Sequence, residues 1–237
     1  MDAVPAYISI VFILTTFAAV AFLLQAVKVA GTNTFPAKLL AFLVPFWLFL
    51  QAALARGGFY ENASSFPPRL LLFGILPAVL LILGYLIFFR KNFIDRLPLS
   101  VLTILHVVRI PVEIVLLWLA IAGVVPRMMT FEGQNFDILS GILAVFVWFI
   151  VFRLRFHARG ILIAYNILGL LLLTNIVTIA ALSLPSPMQK LNLNQPNIGV
   201  LYFPYIWLPT IVVPIVLFSH VAALWKLLRR PEAAGNL

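Results

Sequence analysis

One long apolar run, Leu99–Val125, is interrupted by three residues able to do chemistry: His106, Arg109 and Glu113. An imidazole titrates near neutral pH, a guanidinium holds an anionic group, and a carboxylate balances charge or accepts a proton. On a helix, at 100° per residue, the three fall within an arc of about 60° and share one face. A charge at the centre of a bilayer costs from about 3 to more than 10 kcal/mol, so that face is expected to point away from lipid. The i, i+4 spacing lets Arg109 pair with Glu113. Two buried charges seldom recover their desolvation cost from each other alone, so further partners or water are expected. Pro111 removes a backbone N–H and leaves the carbonyl of Val107 without its helical donor. The functional reading is a pocket for a small solute, ion or lipid, with Arg109 holding an anionic group, Glu113 balancing charge or taking a proton, and His106 titrating or hydrogen-bonding. The competing reading is a structural ion pair that fixes helix positions.

A second polar group, Glu132, Asn135 and Asp137, follows Arg127 and precedes the next apolar run. These residues offer hard oxygen ligands, but too few, and in the wrong pattern, for a calcium loop. Asp137 is read as an N-cap of the helix from Ile138, where an anionic side chain suits the helix dipole. Farther along, Tyr165, Asn166, Thr174, Asn175 and Thr178 are read as interhelical hydrogen-bonding residues, with Asn175 and Thr178 a candidate pocket wall. His106 and His220 lie at matching depths in their runs, so axial ligation of a haem is an alternative. His157, among arginines, is expected to be solvated. No His-Glu-x-x-His, Gly-x-Ser-x-Gly or Walker loop is present, and the Leu139-Ser140-Gly141 step has no nearby base, so no catalytic residue and no metal site are assigned. No cofactor is expected, and an enzymatic role is disfavoured. The absence of cysteine removes disulfides, thiolate metal sites and a cysteine nucleophile.

The elements that must position these residues follow from composition. Hydrophobic residues make up 64% of the 237 positions and charged residues 10%, against about 45–50% and about 25% in a soluble domain. That much apolar surface belongs in lipid, where an α-helix satisfies its own backbone. A hydrocarbon core of about 30 Å takes roughly 20 residues per helix. Seven runs qualify: Tyr7–Val27, Pro36–Leu54, Leu70–Phe89, Leu99–Val125, Ile138–Phe156, Ile161–Leu184 and Leu201–Leu228. The expectation is an all-α polytopic transmembrane bundle, one domain over residues 1–237. The first run is too long for a signal-peptide core and is kept as a span.

The net charge of +9 lies between the apolar runs, so it reads as a topology signal and not as a nucleic-acid surface. Alternate connections hold Lys28 and Lys38, then Arg90, Lys91 and Arg96, then Arg153, Arg155 and Arg159, and a tail with Lys226, Arg229 and Arg230; the other side has only Arg56, Arg69, Arg127 and Lys190. This predicts the N-terminus outside and the C-terminus in the cytoplasm. Retinal attachment is excluded, because Lys226 sits at the end of its run. A parallel repeat of the first and last three spans is compatible with Pro77 and Pro209 but has no shared motif. Pro204, Pro209 and Pro214 are expected to kink or loosen the seventh helix. Asn62-Ala63-Ser64 fits a glycosylation sequon, which matters only in a eukaryotic secretory route.

The stretch Arg109-Ile110-Pro111-Val112-Glu113, with Met129-Thr130-Phe131-Glu132-Gly133-Gln134-Asn135-Phe136-Asp137, resembles a group of uncharacterised bacterial multi-span membrane proteins. That resemblance implies a bacterial inner membrane and brings no activity, cofactor or ligand. Two other function classes stand beside the polar-site reading. One is an accessory subunit packed against a membrane-protein partner; the other is a haem-bearing redox protein or lipid-modifying enzyme.

Overall fold

The computed structural model describes residues 4–62, 64–156 and 159–229. His157, Arg230 and Ala63 of the sequon lie outside the described residues. Seven long helices follow one another, with no strand among the described residues. They are α1 (Ala6–Ala30), α2 (Phe35–Arg56), α3 (Leu70–Phe88), α4 (Leu99–Ile121), α5 (137–153), α6 (Arg159–Leu182) and α7 (Leu208–Arg229). All except α5 are long and apolar enough to cross a membrane. α5 is 12 residues of α-helix, Asp137–Trp148, continued by 5 of π-helix, Phe149–Arg153.

The ends of α4 and α7 differ most from the sequence expectation. α4 stops at Ile121, short of Val125, because Gly123 turns the chain with φ +78, a left-handed conformation open mainly to glycine. α7 begins at Leu208, seven residues after Leu201, because Gly199–Leu201 forms a 3-10 turn and Pro204 offers no N–H to extend it.

Polar and charged side chains are buried within an apolar core, and large apolar side chains cover the outside. Phe42, Phe49, Ile87, Phe88, Ile121 and Leu171 are exposed, whereas Gln51, His106, Arg109, Glu113, Asn135, Asn166 and His220 are buried. Apolar patches on that scale would aggregate in water, and lipid is the solvent that matches them. α7 packs against α1, α2, α3, α4 and α6, and α4 against α1, α5 and α7. These two central helices therefore carry the side chains that lipid would penalise most.

Proline shapes the helices that flank this centre. Pro77 cannot donate to the carbonyl of Phe73, nor Pro214 to that of Thr210, and each lies just after a π-helical segment, Leu70–Ile75 or Leu208–Val212. α2 supplies the donors instead: Gln51 Nε2 gives a hydrogen bond to Phe73 O at 3.1 Å and Trp47 Nε1 one to Thr210 O at 3.1 Å. Trp47 and Gln51 are four residues apart, hence on one face. The widened turns are thus pinned from a neighbouring helix, and the loosening expected of α7 is a π-turn at its start.

Candidate functional site

Arg109 is the hub. Its Nε donates to Asp137 Oδ2 at 2.6 Å and its Nη2 forms an ion pair with Asp137 Oδ1. Nη1 donates to Ser140 Oγ at 2.7 Å and meets His220 Nε2 at 3.1 Å, and the Gly169 carbonyl accepts from Nη1 and Nη2 at 3.3 and 3.4 Å. A guanidinium has five N–H groups, and here every one has an acceptor. The side chain is 2% exposed.

Two glycines let the helices close on it. A Cβ at Gly141 would sit 2.8 Å from Ile110 Cγ1, so the start of α5 lies directly on α4. A Cβ at Gly169 would fall 2.3 Å from His220 Cε1 and 3.1 Å from Ser140 Oγ, so α6 can offer its carbonyl to Arg109 only where no side chain stands. α4 itself tightens to a 3-10 segment, Leu105–Val108, immediately before Arg109.

His220 is held at both ring nitrogens. Asn166 Nδ2 donates to Leu162 O at 2.7 Å, which leaves Asn166 Oδ1 as the acceptor facing His220 Nδ1 at 2.9 Å. Nδ1 therefore carries the proton and Nε2 receives the Arg109 N–H. This pattern assigns a neutral imidazole. His106 stacks on it, with centroids 3.7 Å apart and planes 12° from parallel, and neither His106 nitrogen has a partner. Tyr165 meets the His106 ring edgewise and the His220 ring at a tilt of 54°, and donates from its hydroxyl to Ser140 O at 3.2 Å.

Glu113 does not pair with Arg109. Its Oε1 accepts from Asn135 Nδ2 at 2.7 Å, the same Asn135 donates to Met129 O at 3.0 Å, and Asn135 Oδ1 accepts from the Asp137 backbone N–H at 3.0 Å. The connection before α5 thus folds inward and delivers both an amide to Glu113 and a carboxylate to Arg109. Asp137 is the first residue of α5, after Phe136, and makes no capping bond. The N-cap expectation is corrected, because pairing with a buried guanidinium outweighs a cap worth about 1 kcal/mol.

Beside this network lies a cavity of about 170 Å³, lined by Glu113, Asp137 and Asn197 with apolar side chains such as Leu116, Ile176, Val200 and Val213. Glu113 Oε2 and Asn197 Oδ1 are buried and have no hydrogen-bond partner. A buried acceptor left unmade costs about 1–3 kcal/mol. Both residues line that one cavity.

The predicted residues are therefore partly gathered. His106, Arg109, Glu113, Asn135, Asp137 and His220 come together. Glu132 stays at the surface on Arg127 at 2.6 Å, and Asn175 is exposed, donating to Gln134 O at 2.8 Å. The haem alternative for His106 and His220 does not fit the geometry. Axial ligation needs two ring nitrogens aimed at one iron from opposite sides, whereas these rings stack face to face and His220 has both nitrogens engaged. Among the described residues no group of three or more His, Asp or Glu could hold a metal ion. Ser140, Gly169 and Asn197 were not expected in the site. Of these only Ser140 had a signal, lying three residues from Asp137 on the same face of α5.

No curated protein and no solved structure matches the chain. A family profile does, over residues 67–228, and its description is Domain of unknown function (DUF8737). The match contains every residue of the Arg109 network and of the Glu113 cavity. It also covers more than half of the chain, which therefore belongs to this DUF8737 family.

Proposed function

We propose that this chain is a single transmembrane domain that binds a small, mainly apolar molecule bearing a hydrogen-bond donor, in the cavity beside α4. The observation that carries this reading is the pair of buried, unpartnered acceptors, Glu113 Oε2 and Asn197 Oδ1, belonging to two residues that line one apolar cavity. A dry cavity of about 150 Å³ accommodates a benzene-sized molecule, so about 170 Å³ suits a ligand of that order, below the range of about 300–1,000 Å³ usual for drug-sized ligands. An amine or hydroxyl on such a molecule would satisfy Glu113 and Asn197 while its apolar body meets the aliphatic wall.

This reading divides the work differently from the sequence. Arg109 has no N–H left for an anionic ligand, so it is a positioning residue that ties α4 to α5, α6 and α7. Glu113 is the recognition group. The distribution of Lys and Arg supports an N-out, C-in orientation, and the central resemblance supports a bacterial inner membrane.

The test is native mass spectrometry of the chain released from membranes in mild detergent, comparing wild type with Glu113→Leu and Asn197→Ala. A bound small mass carried by wild type and lost in both variants, at unchanged melting temperature, supports the site. Retention of the same mass by Glu113→Leu would overturn it.

A further inference from the structure

A second cavity, of about 230 Å³, lies between α2, α3 and α7, with Leu23 of α1 also in its lining. Its lining includes Leu40, Val44, Ala78, Ile82, Ile215 and Phe218, and its polar groups are used internally. Trp47 Nε1 donates to Thr210 O, Thr210 Oγ1 to Ile206 O, and the Tyr85 hydroxyl to Pro36 O. Water entering would find no free partner there, so the space suits hydrocarbon. Pro77 to Tyr85 on α3, both lining residues, spans about 12 Å along the helix.

The end of this groove marked by Leu40, Tyr85 and Phe218 runs into positive charge. Lys38 is exposed two residues before Leu40, about 3 Å nearer the helix start. Arg90 follows the end of α3, and its guanidinium lies 5.7 Å from the Trp225 ring centroid, with Arg229 at 4.1 Å from the same ring. Trp225 is seven residues after Phe218, hence on the same face of α7, two turns farther along. Its indole N–H has no acceptor. Among the described residues no ion pair involves Lys38, Arg90 or Arg229. Of the helices lining the groove, α2, α3 and α7 thus bring Lys38, Arg90 and Arg229 to the same end, none with an ion-pair partner among the described residues.

From this charge complementarity we infer that the groove is a binding site for one anionic phospholipid. An acyl chain lies between α2, α3 and α7, and the phosphate is held by Lys38, Arg90 and Arg229. The side with these cations is the one the Lys and Arg distribution assigns to the cytoplasmic leaflet, whose anionic lipids attract such clusters. The inference is independent of the Glu113 cavity and would survive its failure.

The test uses the full chain in mild detergent, incubated with phosphatidylglycerol or phosphatidylcholine of identical acyl chains and read by native mass spectrometry. Wild type should retain one phosphatidylglycerol per chain, about tenfold in preference to phosphatidylcholine. Lys38→Gln combined with Arg90→Gln and Arg229→Gln, all at the helix ends and clear of the core, should abolish the preference. Ala78→Phe, which fills the groove, should lose the lipid while keeping the wild-type elution profile; if that variant does not fold, the charge variant decides. Equal retention of the two lipids by wild type, an unchanged preference in the charge variant, or a lipid-free dimer that occupies the groove would each overturn the inference.

Discussion

Gly169→Ala tests whether the Arg109 hub depends on the close approach of α6. The added methyl would lie 2.3 Å from His220 Cε1 and 2.5 Å from Nε2, against an ordinary carbon contact of about 3.5–4.0 Å. The ring cannot step aside freely, because Asn166 and Arg109 hold its two nitrogens and His106 covers its face. Overpacking costs about 1–3 kcal/mol, and a lost Arg109–His220 bond about 1–3 kcal/mol more. Replacing glycine by alanine within a helix returns about 1 kcal/mol. The expected net loss is about 1–5 kcal/mol. Gly84→Ala in α3 is the control, since nothing lies within 4 Å of its added Cβ, and it should be neutral or stabilising. The assay is the equilibrium unfolding midpoint in detergent for both variants, then for Gly169→Ala in a His220→Ala background. There the methyl has room and should cost less, with a coupling of about 0.5–3 kcal/mol. If Gly169→Ala unfolds at the same midpoint as Gly84→Ala, the packing argument is wrong.

Asp137→Asn keeps the shape but removes the counter-charge of a buried guanidinium, and should cost about 3–5 kcal/mol in the same unfolding assay. Glu113→Gln should change stability by less than about 1 kcal/mol, since the amide oxygen can still accept from Asn135, while ligand retention read by native mass spectrometry falls. Gln51→Leu and Trp47→Phe each take away the donor to a partly buried carbonyl, with an expected loss of about 0.5–1.5 kcal/mol in the same unfolding assay. Tyr60, in the connection after α2, has its phenol pushed up from 10.0 to about 12 by burial, partly opposed by its hydrogen bond to Gln51. Its unfolded form ionises first, so the stability it contributes is complete below pH 10 and lost as pH rises toward about 12. Tyr60→Phe should flatten the fall in melting temperature over that interval.

Local composition made the seven helices legible, six of them long and apolar enough to cross a membrane, because lipid requires a crossing segment to satisfy its own backbone and to be apolar over a fixed thickness. The common face of His106, Arg109 and Glu113 was legible too, since a helix turns by a constant angle. Helix ends were less so. α7 starts later than its apolar run because the prolines and a 3-10 turn interrupt hydrogen bonding without lowering hydrophobicity.

What the sequence by itself determined is therefore an all-helical membrane bundle with an ionisable stripe on its fourth helix. The choice of partners belonged to the tertiary structure. Sequence spacing put Glu113 within reach of Arg109, yet the guanidinium turns to Asp137, Ser140, Gly169 and His220 on three other helices. Glu113 is left with Asn135 and an open oxygen. Spacing along one helix measures only which side chains can meet. Which of them do meet depends on how closely α5, α6 and α7 approach, and that is set by Gly141 and Gly169, whose missing side chains are visible only against the neighbours they would strike.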